Sequence, residues 1–135
     1  MYNCSLFKFL NISNKYGTLT PIEEFVDVPF DIKRIYYITE VPQDVSRGFH
    51  AHKKLHQVLI CIKGSVKIKV KTPKEETEFL LNSSSVGLYI GPYIWREMYN
   101  FSEDAVLLVL ASDYYNEDDY IRNIDFYMQE AFNRF

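Results

Sequence analysis

The chain has 135 residues and a formal net charge of -3, with its lysines scattered among acidic residues. This charge pattern excludes the concentrated basic surface of a nucleic-acid-binding protein, so we expect no DNA or RNA partner. The length favours one domain, residues 1–135, that buries its own core, and the 11 Tyr and 10 Phe favour an all-β fold.

The cysteines and the N-terminal residues indicate a cytoplasmic protein. Cys4 and Cys61 are far apart and form no C-x-x-C pair, and the apolar run around Cys61 is typical of a small buried thiol. Residues 1–10 lack the cationic and apolar regions of an export signal. No uncharged apolar segment reaches about 18 residues, so we expect no contact with a membrane.

Short strands separated by Gly and Pro turns account for most of the chain. Thr18–Glu23 predicts an edge strand, because its proline cannot donate to a central ladder. Alternation over Val66–Lys71 predicts a strand with its valines and isoleucine inward and its lysines outward. The wholly apolar run Ala105–Ala111 predicts a central strand. Further strands are predicted at Ile32–Ile38, Gln57–Ile62, Thr77–Leu81, Val86–Ile90 and Tyr93–Tyr99.

The C-terminal segment changes to helical periodicity. Asn116 can cap a helix, Asp118 and Asp119 suit its first turn, and apolar residues recur at helical spacing from Ile121 to Phe135. We expect one amphipathic helix whose apolar stripe packs against the strands or against a partner subunit. About nine short strands with a single terminal helix predict a sandwich or a small barrel.

All three histidines lie within seven positions of one another. His50 and His52 are two residues apart, so on an extended strand both rings and Gly48 share one face. The apolar run after His56 suits a strand buried on both sides, which predicts a hairpin with two imidazoles on its first arm. A lone histidine near a strand is more often structural, but a same-face pair beside Arg47 favours a functional site.

The spacing of this segment resembles the first motif of the cupins, which implies a jelly-roll β-barrel. Gln57 stands in place of the acid that follows His-x-His, and Arg96 stands about where a metal-binding cupin has its last histidine. Two histidines are a poor site for a divalent cation, which usually takes about three or four protein ligands, and a nearby guanidinium repels it. We therefore expect no metal and no other cofactor.

Four longer strings are more specific, and they are similar to the dTDP-4-keto-6-deoxyglucose 3,4-ketoisomerases, also called WxcM-like sugar oxoisomerases. The strings are Arg47–Gln57, Gly87–Pro92, Trp95–Met98 and Leu110–Tyr115. The resemblance implies an enzyme that moves a ketone from C4 to C3 of dTDP-4-keto-6-deoxyglucose. It also implies metal-independent chemistry, a homodimer with exchanged strands, and a product used to make 3-amino-3,6-dideoxy sugars.

Moving a carbonyl group requires a base and hydrogen-bond donors for the oxyanion. An unperturbed imidazole, with a pKa of about 6.5, can remove the proton beside a ketone. By resemblance, His50 is this base, and His52 and Tyr36 bind the sugar oxygens or relay protons. The resemblance also implies that Arg47 binds the diphosphate and that Trp95 packs against the sugar or the thymine. The alternative for Trp95 is a position in the core.

Tyr16 and Arg96 bear on the configuration of the product. Family members that yield the galacto product tend to carry Arg and His at these two positions, whereas this chain carries the Tyr and Arg of the gluco-producing members. The resemblance therefore implies a 3-keto-6-deoxyglucose product, with both side chains involved in substrate binding.

Three alternatives remain open. A non-catalytic cupin could bind a dTDP-sugar as a sensor or scaffold. A C3 or C5 epimerase of sugar nucleotides pairs a histidine with an aspartate, and no aspartate follows the His motif at close range. A metal-dependent dioxygenase fits these residues least well.

Overall fold

Two five-stranded antiparallel sheets share one core in the computed structural model, which describes residues 1–135. The strands are β1 (Cys4–Lys8), β2 (Ile12–Asn14), β3 (Gly17–Leu19), β4 (Arg34–Ile38), β5 (Arg47–His52), β6 (Gln57–Lys63), β7 (Val66–Lys71), β8 (Glu76–Leu81), β9 (Val86–Ile90), β10 (Trp95–Tyr99), β11 (Val106–Ala111) and β12 (Tyr120–Ile121). The first sheet has the order β1-β9-β6-β11-β4 and the second the order β12-β5-β10-β7-β8, while β2 and β3 form a separate hairpin. One helix, α1 (Ile124–Ala131), follows the strands. The predicted all-β jelly-roll cupin fold with one C-terminal helix is therefore confirmed.

The core follows from the alternation in the sequence. Val66, Ile68 and Val70 of β7 are fully buried, whereas the lysines between them are partly exposed, as predicted. These three side chains pack in one cluster with Leu107 and Val109 of β11, which lies between β6 and β4 as the predicted central strand. Burial of each such side chain contributes about 1.5–3 kcal/mol, so this cluster holds the two sheets together.

The histidine-bearing strand and the apolar strand after it lie in different sheets, so the predicted hairpin is wrong. β5 pairs with β10 and β12, whereas β6 pairs with β9 and β11. β6 is apolar on both faces and therefore needs a packing layer on each. Leu59 packs in the core between the sheets, while Val58 and Ile60 pack on the outer side against Phe30.

The C-terminal helix begins later than predicted. Asn116 caps a short 3-10 turn, Glu117–Asp119, and β12 follows before Asn123 caps α1. Ile121 has helical spacing to the residues after it, yet it pairs with Ala51 of β5 in a β ladder. Pairing with an existing sheet edge has overridden the local helical pattern here.

The N-terminal hairpin replaces the predicted edge strand Thr18–Glu23. β3 ends at Leu19 and pairs with β2, and Pro21 lies outside any strand. Cys4 and Cys61 are free and buried, as the sequence predicted for Cys61. No helix of the chain combines the length and apolar character needed to cross a membrane.

Candidate active site

The inward face of β5 carries two imidazoles, and His50 lines a cavity of about 350 Å³. The ring centroids of His50 and His52 lie 4.8 Å apart, so the predicted same-face pair is present. The ring of Tyr120 lies 4.9 Å from His50 and 4.3 Å from His52. The polar lining of the cavity includes Arg34, Tyr36, Arg47, His50, Tyr120 and Arg122. Hydroxyl, imidazole and guanidinium groups together suit a polar, anionic ligand.

A bulge in β5 sets the direction of the first imidazole. His50 pairs with Arg96 of β10, and Gly48 pairs with the next residue, Glu97, so Phe49 between them has no partner. The backbone φ is +91° at Gly48 and +58° at Phe49. A positive φ favours glycine, and a Cβ atom at Gly48 would lie only 2.9 Å from the Arg96 carbonyl oxygen.

The same bulge brings Arg47 to the side of the imidazoles. In a regular strand, Arg47 and His50 would point to opposite faces because they are three positions apart. The extra residue reverses this, so Arg47 pairs with Met98, a core residue, and lines the cavity. Gly48 pairs with Glu97 in the outward register, but its backbone lines the same cavity as His50.

A buried chain of hydrogen bonds connects Arg96 to Tyr36. The Arg96 guanidinium is fully buried and donates to the Ile94 carbonyl and, over 2.5 Å, to Gln57 Oε1. Gln57 Nε2 donates to the Tyr36 hydroxyl oxygen over 3.0 Å. A guanidinium only donates, so it orients the Gln57 amide, and Tyr36 must accept from that amide. The Tyr36 proton is then free to point into the cavity.

Burial controls the charges at this site. Burial and then the Arg96 guanidinium lower the pKa of His50 to about 3, and the same two causes lower the pKa of His52. Burial lowers the pKa of Arg96 to about 10, so it remains a cation at neutral pH. Burial raises the pKa of Tyr36, which keeps its hydroxyl protonated. The site thus combines two neutral imidazoles, one phenol and one buried cation.

The amino-acid sequence of the chain is similar to that of known proteins. Residues 2–131 match the family described as FdtA: WxcM-like, C-terminal. The chain belongs to this family. It is 49% identical over 120 residues to the TDP-4-oxo-6-deoxy-alpha-D-glucose-3,4-oxoisomerase of Aneurinibacillus thermoaerophilus, an alignment that covers 89% of this chain and 86% of that one.

Solved structures of the 3,4-ketoisomerase QdtA from Thermoanaerobacterium thermosaccharolyticum are closely similar. A histidine-to-asparagine variant in complex with TDP-4-keto-6-deoxyglucose has a TM-score of 0.97 and 64% identity, covering 100% of this chain and 98% of that chain. A double variant in complex with TDP, with Tyr replaced by Arg and Arg by His, has a TM-score of 0.97, 63% identity and the same coverage.

Three residues that the family resemblance predicted for substrate binding do not line the cavity in this chain, namely Arg96, Trp95 and Tyr16. Arg96 is fully buried and bonds to Ile94 and Gln57. Trp95 is 2% exposed and packs on the outer face of the second sheet, with its ring 5.6 Å from Tyr127 of α1. Neighbouring residues of a strand alternate faces, and Arg96 points inward, so Trp95 must point outward. A substrate contact for Trp95 is thus corrected to the core role. Tyr16 is 85% exposed in the turn between β2 and β3.

Four residues near the imidazoles were missed by the sequence analysis. They are Glu117, Asp119, Tyr120 and Arg122, and they lie in the segment that was predicted to begin the helix. The Arg122 guanidinium lies 4.1 Å from the centre of the Tyr120 ring, and its Nε donates to Glu117 over 2.7 Å. Asp119 Oδ2 lies 3.2 Å from His52 Nδ1. Their segment mixes several acidic residues and tyrosines with an arginine, which is unusual for an amphipathic helix. This composition was the signal that could have identified them.

The third histidine is separate from the other two. His56 Nδ1 lies 2.7 Å from the Tyr89 hydroxyl oxygen, and this contact joins the residue before β6 to β9. His56 does not line the cavity. In the whole chain no three His, Cys, Asp or Glu side chains lie close enough together to hold a metal ion.

Proposed function

We propose that the chain is a single-domain 3,4-ketoisomerase that converts dTDP-4-keto-6-deoxyglucose to dTDP-3-keto-6-deoxyglucose. The observation that carries the proposal is a pair of neutral, buried imidazoles, of which His50 lines the same cavity as Tyr36. Proton transfer between two carbons and two oxygens needs this kind of group and no redox cofactor. A QdtA structure of 64% identity holds TDP-4-keto-6-deoxyglucose, which supports this choice of substrate.

In the proposed mechanism His50 is the base and Tyr36 is the acid. His50 removes the proton from C3 while Tyr36 gives its proton to the C4 oxygen, which produces an enediol. The C3 hydroxyl then loses its proton as C3=O forms, and His50 returns its proton to C4. Arg96 acts through Gln57, since a positive charge behind this amide stabilises negative charge that develops on Tyr36 and on the sugar oxygen.

Arg47 is the proposed partner of the diphosphate. The bulge in β5 brings its guanidinium to the cavity, and a planar guanidinium suits phosphate oxygens. Arg34 and Arg122 also line the cavity and add positive charge for the same dianionic group.

The proposed product has the gluco configuration. Tyr16 and Arg96 are the residues of gluco-producing members, and the QdtA double variant exchanges residues of the same two types for Arg and His. An always-charged Arg at position 96 removes the second proton donor and acceptor that a His supplies there. An axial C4 hydroxyl, read from proton coupling constants of the product, would contradict the gluco assignment.

The proposed assembly is a cytoplasmic homodimer with exchanged strands. Large apolar side chains are exposed along the N-terminal segment and on β4, namely Leu10, Ile12, Tyr16, Leu19, Ile35 and Tyr37. β4 is also an edge strand of the first sheet, and its residues Arg34, Tyr36 and Ile38 line the cavity. An N-terminal segment from a partner that pairs there would bring the partner's Tyr16 towards Tyr36. Light scattering of the purified protein tests this, and a monomer at micromolar concentration contradicts it.

The reaction itself is tested by NMR. The protein is incubated with dTDP-4-keto-6-deoxyglucose in deuterated buffer, and we expect the carbonyl signal to move from C4 to C3. Deuterium at C4 would show that the proton on His50 exchanges with solvent before it is returned, and hydrogen at C4 would show direct transfer. Unchanged C3 and C4 signals without exchange at C3 would refute the isomerase, and dTDP binding without exchange would identify a non-catalytic binding protein.

One observation favours an epimerase as the second candidate. The sequence suggested that no aspartate accompanies the His motif, but Asp119 lies beside His52. A His–Asp pair alone therefore does not separate the two reactions. Product identity does, because an epimerase leaves the carbonyl at C4 and inverts C3 or C5.

A further inference from the structure

Asp119 contacts the second imidazole of the site from a distant part of the chain. Its Oδ2 lies 3.2 Å from His52 Nδ1, across 67 positions of sequence. The His52 side chain is 1% exposed and the Asp119 side chain 15%. The contact is thus direct and largely shielded from water, so its hydrogen bond is stronger than one at the surface.

The backbone holds the Asp119 carboxylate in place independently of the imidazole. Oδ1 accepts from the Lys54 amide over 2.9 Å, and Oδ2 also accepts from the Leu55 amide over 3.3 Å. The Asp119 carbonyl oxygen accepts from the Lys53 amide over 2.9 Å. Two consecutive amides after β5 therefore hold this carboxylate beside the ring, and the amide before them holds the Asp119 backbone.

This geometry determines which nitrogen of His52 carries the proton. An ionised carboxylate only accepts hydrogen bonds, so the neutral ring must donate from Nδ1. Its Nε2 then has a free lone pair. Nε2 is buried and has no hydrogen-bond partner. The centre of the His52 ring lies 4.8 Å from that of His50 and 4.3 Å from that of Tyr120.

We propose that Asp119 is a positioning residue that holds His52 as the Nδ1–H tautomer, so that Nε2 can accept the proton of the C3 hydroxyl. The proposal rests on the ketoisomerase function above. When C3=O forms, the O–H bond at C3 breaks and its proton passes to His52 Nε2. That proton then returns to Tyr36, which gave its own proton to the C4 oxygen, so all protons balance over one turnover.

The first test is the tautomer of His52 in the free, unmodified protein. Long-range ¹H–¹⁵N correlation spectra of ¹⁵N-labelled protein distinguish a protonated from an unprotonated ring nitrogen, and His50→Asn and His56→Asn variants assign the signals. We expect protonated Nδ1 and unprotonated Nε2 for His52. The opposite tautomer would overturn the proposal. Because this measurement needs no turnover, its failure is distinct from failure of the ketoisomerase function.

The second test is Asp119→Asn. One amide oxygen cannot accept from both the Lys54 amide and His52 Nδ1, so the side-chain NH₂ faces one of these two donors. We expect it to face His52 and shift the ring towards the Nε2–H tautomer, with kcat reduced about 100-fold or more. KM should change little, because Asp119 does not touch the substrate.

Asp118→Asn is the matched control, since it makes the same charge change on an exposed neighbour in the same turn. We expect it to keep both the tautomer and kcat. An Asp119→Asn protein that is folded and has normal kcat contradicts the proposal, and so does one that loses kcat with an unchanged His52 tautomer. If Asp119→Asn does not fold, the proposal is tested by the His52 tautomer in the unmodified protein alone.

Discussion

At the residue scale, two side chains depart from the pattern of a metal-binding cupin. Gln57 stands where cupins have an acid, and Arg96 stands about where they have a histidine. In the structure Arg96 donates a hydrogen bond to the Gln57 amide oxygen, which fixes the orientation of that amide. The amide NH₂ then donates to the Tyr36 hydroxyl oxygen. The guanidinium also lowers the pKa of both imidazoles. In the proposed mechanism, the Arg96 cation therefore stabilises negative charge while neutral groups transfer the protons.

The His50→Asn variant tests the base. We expect kcat to fall about 100- to 10,000-fold, because asparagine cannot accept the C3 proton, while dTDP affinity measured by calorimetry stays close to that of the unmodified protein. His56→Asn is the control, since this histidine bonds to Tyr89 outside the cavity. Near-normal turnover of His50→Asn would transfer the base role to His52 or Tyr36.

The Gln57→Glu variant tests the orientation of Tyr36. A carboxylate accepts from Arg96 as the amide does, but it also accepts the Tyr36 proton, which is then no longer available to the sugar. We expect kcat to fall about 100-fold, as for loss of one oxyanion donor, with the melting temperature maintained because Arg96 keeps a partner. Gln43→Glu, on an exposed loop, is the control for added charge. Unchanged kcat would mean that Tyr36 does not act as the acid.

At the element scale, the sequence predicted strands well but not their partners. The apolar or alternating runs of β7, β9 and β11 identify strands because burial acts on each run locally. Which strands pair with each other depends on contacts between residues far apart in sequence, and for this reason β5 and β6 were wrongly predicted to pair. The contact between Asp119 and His52 spans 67 positions and was hidden for the same reason. The bulge at Gly48 was equally invisible, because one added residue changes a face without changing composition.

Gly48→Ala tests the bulge. Its Cβ would lie 2.9 Å from the Arg96 carbonyl oxygen and 3.3 Å from the Glu97 Cα, at a φ of +91°. Strain of this kind costs about 1–3 kcal/mol, so we expect a matching loss in the free energy of unfolding from urea titration. We also expect a lower kcat, because relief of the clash moves His50 and Arg47. Gly17→Ala is the control, with a φ of +128° and no atom within 4 Å of the added Cβ. Equal losses of stability with full kcat in both variants would contradict the role of the bulge.

At the scale of the whole molecule, the fold buries two neutral imidazoles and one guanidinium cation in a core that a chain of this size can build. His52 and Arg96 are almost fully buried, and His50 is buried on most of its surface. Such groups cost stability, which the apolar cluster between the sheets offsets. The site therefore depends on the integrity of both sheets, because Tyr36 and Gln57 come from the first sheet and the imidazoles and Arg96 from the second.

This cost should appear as a pH dependence of stability. The pKa of His50 is about 3 in the folded chain and about 6.5 when unfolded, and the pKa of His52 is also lowered. Between these values the unfolded chain binds protons that the folded chain does not, so stability is present above about pH 6.5 and is lost as the pH falls. We expect the free energy of unfolding to fall by about 2 kcal/mol per buried imidazole from pH 7 to pH 5. Urea titrations across this range measure it, and His50→Asn should reduce the slope by about half. A flat profile in the unmodified protein would show that the imidazoles are not held neutral by burial.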